Sequence, residues 1–125
     1  MMDILEKYRS SGGGNCAVRN VLDRLGDKWS MLIILVLGKE GTMRFNQLHH
    51  GIGDISQKML TVTLKILEAD GLVIRKVYAE IPPKVEYSLT ERGHSLVPHL
   101  EALAEWAETH MQGIYASREK YTAGV

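Results

Sequence analysis

Gln57, Lys58, Thr61 and Lys65 lie within nine residues of one another, and the last three follow at steps of three and four. On a helix that spacing gathers them on one side, with Val62 among them. Leu60, Leu64 and Leu67 fall on the opposite side. The chemistry such a polar face offers is recognition of duplex DNA. A Gln amide pairs at two points with adenine. Lys reaches guanine edges or phosphates, Thr can donate a hydrogen bond, and the methyl of Thr or Val suits a thymine methyl. The N-terminus of the helix adds amide N–H groups for a phosphate. A merely solvated face is the plain alternative for this segment taken alone.

The other reactive side chains are few. Cys16 is the one cysteine, at the start of an apolar-periodic segment, with Arg19 three residues on. A helix N-terminus and a nearby cation favour thiolate, which suits an oxidant sensor. A small buried hydrophobe is the competing role and the favoured one. A single thiol excludes an intramolecular disulfide, so oxidation would need a Cys16–Cys16 link between subunits, a mixed disulfide or an adduct. His49 and His50 are adjacent, about 100° apart on a helix, and are expected near nucleic acid or solvent. His94 and His99 are five apart. Neither pair, with one thiol in the chain, makes a zinc set, so no metal and no cofactor are expected. There is no Gly-x-Ser-x-Gly elbow and no phosphate-binding glycine loop, so the chain is not expected to be an enzyme.

The elements that must position the polar face follow from periodicity and caps. Residues 1–14 end in Ser-Ser-Gly-Gly-Gly and read as a flexible arm. Asn15 is the expected cap of a helix from Cys16 to about Leu25, with Val18, Val21, Leu22 and Leu25 as its inward stripe. A nearly all-apolar helix from Lys28 to Leu37 should be the buried centre, stopped by Gly38. Met43–Phe45 suggests a brief strand, Asn46–His50 a short helix, and Gly51–Asp54 a turn. Ser56 should cap the Gln57–Ala69 helix, and Asp70-Gly71 should close it. Strands are expected at Leu72–Glu80 and Lys84–Leu89, with Val85, Tyr87 and Leu89 as the buried parity of the second and Ile81-Pro82-Pro83 as an exposed tip. Thr90 should cap a last helix from Glu91 to Tyr115 or beyond, kinked or divided at Pro98. The fold class is therefore mainly α (α+β), a winged helix-turn-helix. Residues 15–92 form the core, with a recognition helix at about 56–69 and a wing at about 72–89; residues 91–125 form the C-terminal helix and tail.

Bulk properties narrow the partners. The 125 residues suit one domain, and 15 basic against 15 acidic side chains give a formal net charge of zero. A duplex reader of this composition must rely on a few placed cations, not on a broad positive field. The longest apolar run, Met31–Leu37, is seven residues, against the roughly 20 needed to cross a membrane. The charged N-terminus lacks the apolar stretch of a signal peptide, and a lone cysteine fits a cytoplasmic location.

The chain resembles the HxlR-type regulators, a branch of winged-helix transcription factors close to the MarR type. The resemblance spans about Cys16 to Trp106. Asp27-Lys28-Trp29, Arg44-Phe45-Asn46-Gln47-Leu48, Ile55–Thr61, Leu67–Val73, Pro82–Thr90 and Gly93 carry it. Ala17 departs from it, since proline usually follows the cysteine. The resemblance implies a cytoplasmic homodimer on a palindromic operator, with terminal helices building the dimer through Val18, Leu22, Leu100, Leu103 and Trp106. Packing of the last helix on its own domain is the alternative for that stripe. Gln57, Lys58, Thr61 and Lys65 are then expected at bases and nearby phosphates, and Arg44, Ser56, Lys76 and Lys84 at the backbone. An oxidant or small-molecule effector is a variant of this reading, its pocket lined by Trp29 and Trp106. The competing function is a winged-helix module that binds protein and no DNA.

Overall fold

Asp27 decides where the central helix begins. Its Oδ1 accepts from the backbone N–H of Trp29 (2.8 Å) and Ser30 (2.9 Å), and its Oδ2 from the Ser30 hydroxyl (2.7 Å). Lys28 and Trp29 are thus held in a turn, and the helix starts at Ser30 rather than Lys28. Partial burial works against the Asp27 charge, but the hydrogen bonds from Ser30 and Trp29 outweigh it and hold the carboxyl below the usual carboxylate range. A depressed carboxyl contributes stability above its unfolded pKa of about 3.9, and that contribution is lost as pH falls through the lower folded value. Asp27→Ala should cost about 1 kcal/mol at pH 7. Urea midpoints of the two proteins should converge as pH falls below the ordinary carboxylate range and the wild-type carboxyl protonates.

The computed structural model describes residues 16–124. The expected arm at 1–14 and the Asn15 cap lie outside them. The element order is α1 (Ala17–Leu25), α2 (Ser30–Glu40), β1 (Met43–Arg44), α3 (Phe45–Ile52), α4 (Gln57–Ala69), β2 (Val73–Tyr78), β3 (Lys84–Leu89) and α5 (Glu91–Ala123). The strands form an antiparallel sheet in the order β1-β3-β2, with Val73 opposite Leu89, Lys76 opposite Glu86, and Arg44 opposite Glu86 on the other side. The core lies between α2, the inner side of α4, the sheet and the start of α5, and contains Ile33, Ile34, Leu37, Leu48, Leu60, Leu64 and Leu67.

Several expectations are corrected. Gly38 does not stop α2, which runs on to Glu40 and ends at Gly41 with φ +82°. The glycine serves packing, since a Cβ there would come within 2.9 Å of Val97 Cγ2 on α5. Leu32 of α2 is exposed, so the helix is not buried all round. The α3 helix absorbs Gly51 and Ile52, and the turn starts at Gly53. Strand β3 lacks the expected alternation, because it is the central strand and Lys84–Ser88 are all partly covered. The last helix continues through Pro98 for 33 residues. Pro98 and His94, whose carbonyl loses its helical partner, are both on the exposed side, where water can take the bond.

The apolar stripes also divide differently. Of the α1 stripe only Leu25 is buried, while Val18, Val21 and Leu22 face outward. On α5, Leu100 is 8 % exposed and belongs to the subunit's own core, whereas Leu103 (48 %) and Trp106 (54 %) are uncovered. Leu100 is therefore corrected from an interface residue to a core residue.

Candidate nucleic-acid interface

The turn between α3 and α4 is fixed at both ends. The Arg44 N–H donates to Gln47 Oε1 (2.9 Å) at the start of α3. Gly53, with φ +93°, ends that helix in a conformation that favours glycine. His49 Nε2 lies 2.7 Å from the Ile55 carbonyl; a carbonyl only accepts, so Nε2 carries the proton and donates. The imidazole also stacks on Phe45, with centroids 6.3 Å apart. His49 is thus a brace for the turn and not the solvent or duplex contact expected of it; His50 is exposed. Ser56 caps α4 by accepting from Met59 N–H at 3.0 Å.

The α4 helix turns Leu60, Leu64 and Leu67 into the core and leaves Gln57, Lys58, Thr61, Val62 and Lys65 exposed on one side. Burying the three leucines holds the helix in place, since truncating one to Ala costs about 2–5 kcal/mol. The Thr61 hydroxyl donates to Gln57 O at 2.9 Å. Its hydrogen is engaged, so it offers a methyl group and an acceptor rather than a donor.

The hairpin after α4 presents two faces. Arg44, Lys76, Tyr78, Lys84 and Glu86 share the outer one, as their register requires. The Tyr78 hydroxyl donates to Glu86 Oε1 (2.7 Å), and Lys84 Nζ lies 3.5 Å from Glu86 Oε2. The Tyr78 hydrogen bond does most to hold the Glu86 carboxyl below its usual range, with Lys84 and Arg44 adding to it against partial burial. The ammonium groups of Lys76 and Lys84 lie 5.0 and 4.8 Å from the Tyr78 ring centroid. Lys84 is therefore partly neutralised, while Lys76 is exposed. Arg44, Lys76 and Lys84 are gathered on a surface separate from the α4 face, not joined to it.

The residue missed from the sequence is Arg75. It lies opposite Tyr87 and shares the parity of buried Val73, so it points to the α4 side of the sheet. With Thr61, Lys65, Glu68 and Tyr87 it lines a notch of about 340 Å³. The signal was present: an arginine at the core-facing parity of a strand must leave the core beside whatever covers that face.

Cys16 is the N-cap residue of α1 and is 6 % exposed. Arg24 reaches from the other end of α1 to Asp70 with two parallel bonds of 2.9 Å, tying α1 to the end of α4. Between α1 and α5 lies a groove of about 490 Å³, with Val21, Leu25 and Leu96 among its apolar walls. Neither Trp29 nor Trp106 lines it. Trp29 packs against the core with Lys28 Nζ 4.6 Å from its ring centroid, and Trp106 lies against His110. Among the described residues no helix is long and apolar enough to cross a membrane, and no three His, Cys, Asp or Glu side chains converge as a metal site.

Helix, braced turn, capped helix and hairpin in this order define a winged helix-turn-helix. Comparison with known proteins places the chain more closely. The family model for the HxlR-like helix-turn-helix matches residues 24–115. The HTH-type transcriptional regulator YtfH of Escherichia coli K12 is 41% identical over 108 residues, covering 86% of this chain and 85% of YtfH. The reduced form of the redox regulator HypR superposes with a TM-score of 0.74 at 41% identity, covering 79% of this chain and 97% of HypR. Reduced YodB, a transcriptional regulator from Bacillus subtilis, gives 0.64 at 41% identity over 72% of this chain and 87% of YodB. The chain belongs to the HxlR-like helix-turn-helix family of transcriptional regulators. These relatives are named as regulators, not enzymes.

Proposed function

We propose that the protein acts in the cytoplasm as a homodimer that reads a palindromic operator with α4 in the major groove. The observation that carries this reading is the two-sided build of α4, leucines inward and Gln57, Lys58, Thr61 and Lys65 outward, uncovered by any other described part of the subunit. The uncovered apolar side chains Val18, Leu22, Leu103 and Trp106 on the two terminal helices support a second copy as their cover. Two copies would set their α4 helices in successive major grooves about 34 Å apart. Gln57, Lys58, Thr61 and Lys65 then meet bases and nearby phosphates, while Arg44, Ser56, Lys76 and Lys84 face the backbone.

The test is selection of a binding site from random duplexes, followed by a salt titration. A reader making about 6–10 phosphate contacts should lose roughly a thousandfold or more in affinity between 50 and 200 mM salt. No duplex binding at any salt would overturn the reading and favour a protein-binding module.

A finer part of the reading is that oxidation of Cys16 loosens operator binding. Its support is the place of the thiol at the N-terminus of α1 and the 41% identity to a protein named as a redox regulator. Because Cys16 is 6 % exposed, its reaction waits on opening of the first turn of α1. In a gel shift with diamide, wild type should release its operator slowly and Cys16→Ser should not. Equal behaviour of the two would end this part of the reading.

A further inference from the structure

The notch between α4 and the hairpin combines features that a plain solvated surface lacks. Two cations, Lys65 and Arg75, line it together with the hydroxyl-bearing side chains of Thr61 and Tyr87. Neither cation forms an ion pair among the described residues, whose two pairs are Arg24–Asp70 and Lys84–Glu86. Arg75 is the more telling, because its parity sends it inward from β2, away from Lys76 and the outer face. Glu68 is the one carboxylate on the rim, so the site retains a positive balance. Its volume of about 340 Å³ has room for a phosphate group and several waters at about 30 Å³ each.

The place of the notch says which phosphate. With α4 in a major groove and the hairpin beside the neighbouring minor groove, one sugar–phosphate backbone must pass between them. What lies between α4 and the hairpin is this notch. We propose that it seats a backbone phosphodiester of the operator, with Arg75 and Lys65 as its charged donors and Glu68 as a restraint on affinity. The proposal rests on the reading of α4 as the groove helix. An arginine fork gives such an oxygen cluster two-point bonding that a lysine cannot. One phosphate clamped by both elements would fix the register of α4 against the wing without carrying sequence information.

The experiment is equilibrium binding of the full chain to its selected operator, with a salt titration, for wild type, Arg75→Gln and Glu68→Gln. Duplexes carrying one neutral methylphosphonate at successive backbone positions are bound in parallel. Arg75→Gln should weaken binding about 10- to 100-fold across two notches and flatten the salt dependence by about 0.9 per phosphate lost. Glu68→Gln should bind severalfold tighter, a gain that a purely structural role does not predict. Methylphosphonate at one position per half-site should weaken wild type clearly more than Arg75→Gln, which keeps only the Lys65 contact to that phosphate. If wild type binds its operator and Arg75→Gln keeps the same affinity and slope, the notch proposal falls and the groove reading stands. If wild type binds no duplex, both fall. Orthophosphate is added at constant ionic strength as a further arm. Competition at low millimolar phosphate in wild type, absent in Arg75→Gln, would assign the notch to a free oxyanion and overturn the backbone assignment.

Discussion

Lys65→Glu should all but remove operator binding while leaving the fold intact. Lys65 is exposed on α4 and lines the notch with Arg75, so no core packing is lost. On the proposed docking, the change removes a cation from the side of α4 that meets the duplex and puts a carboxylate against phosphates. A base or charged phosphate contact is worth about 1–3 kcal/mol. Counted in both subunits, the loss is about 2–6 kcal/mol, roughly 30-fold to 10⁴-fold in affinity. A gel shift on the selected operator measures it, with the urea midpoint as the control for folding. An unchanged shift would mean that α4 does not face the duplex.

Leu103→Glu should convert the protein to monomers and, with that, weaken operator binding. Leu103 lies one turn beyond Leu100, the last residue of α5 in the subunit's own core, and is 48 % exposed. Within one subunit the substitution buries nothing and should be nearly neutral for folding. Between subunits it would bury a charge without a partner, which costs several kcal/mol. Sedimentation at micromolar concentration reads the oligomeric state directly. Monomers lose the gain from linking two half-sites, which is commonly 10²- to 10⁴-fold in affinity. A dimer that survives the change would put the interface elsewhere, with Val18 and Leu22 of α1 the next surface to alter.

What the sequence disclosed depended on whether the cause of each feature lay nearby in the chain. The limits of α4 were legible because Ser56 and Gly71 are local signals, a side-chain cap and a left-handed turn. Gly38 was misread because its reason is distant: the methyls of Val97 press on α2 there. The apolar stripe of α1 was visible, but amphipathicity does not say whether the cover comes from the same chain. His49 looked available because its acceptor, the Ile55 carbonyl, becomes a neighbour only once the turn closes. Arg75 is hidden in the sequence for a related reason. Lys76 and Lys84 are visible as hairpin cations, whereas the importance of Arg75 lies in the register that points it at α4.

The length of α5 has a mechanical consequence. Its 33 residues make a rod of about 50 Å at 1.5 Å per residue, and only its first third is seated on the domain it leaves. That free portion is a lever some 35 Å long, pivoted where it leaves the domain. In a pair joined along it, a tilt of about 10° at the pivot would carry its far end roughly 6 Å relative to the reading head, nearly two base-pair steps of about 3.4 Å. A shift too small to disturb any packing within the head would thus be enough to take it out of step with the double helix.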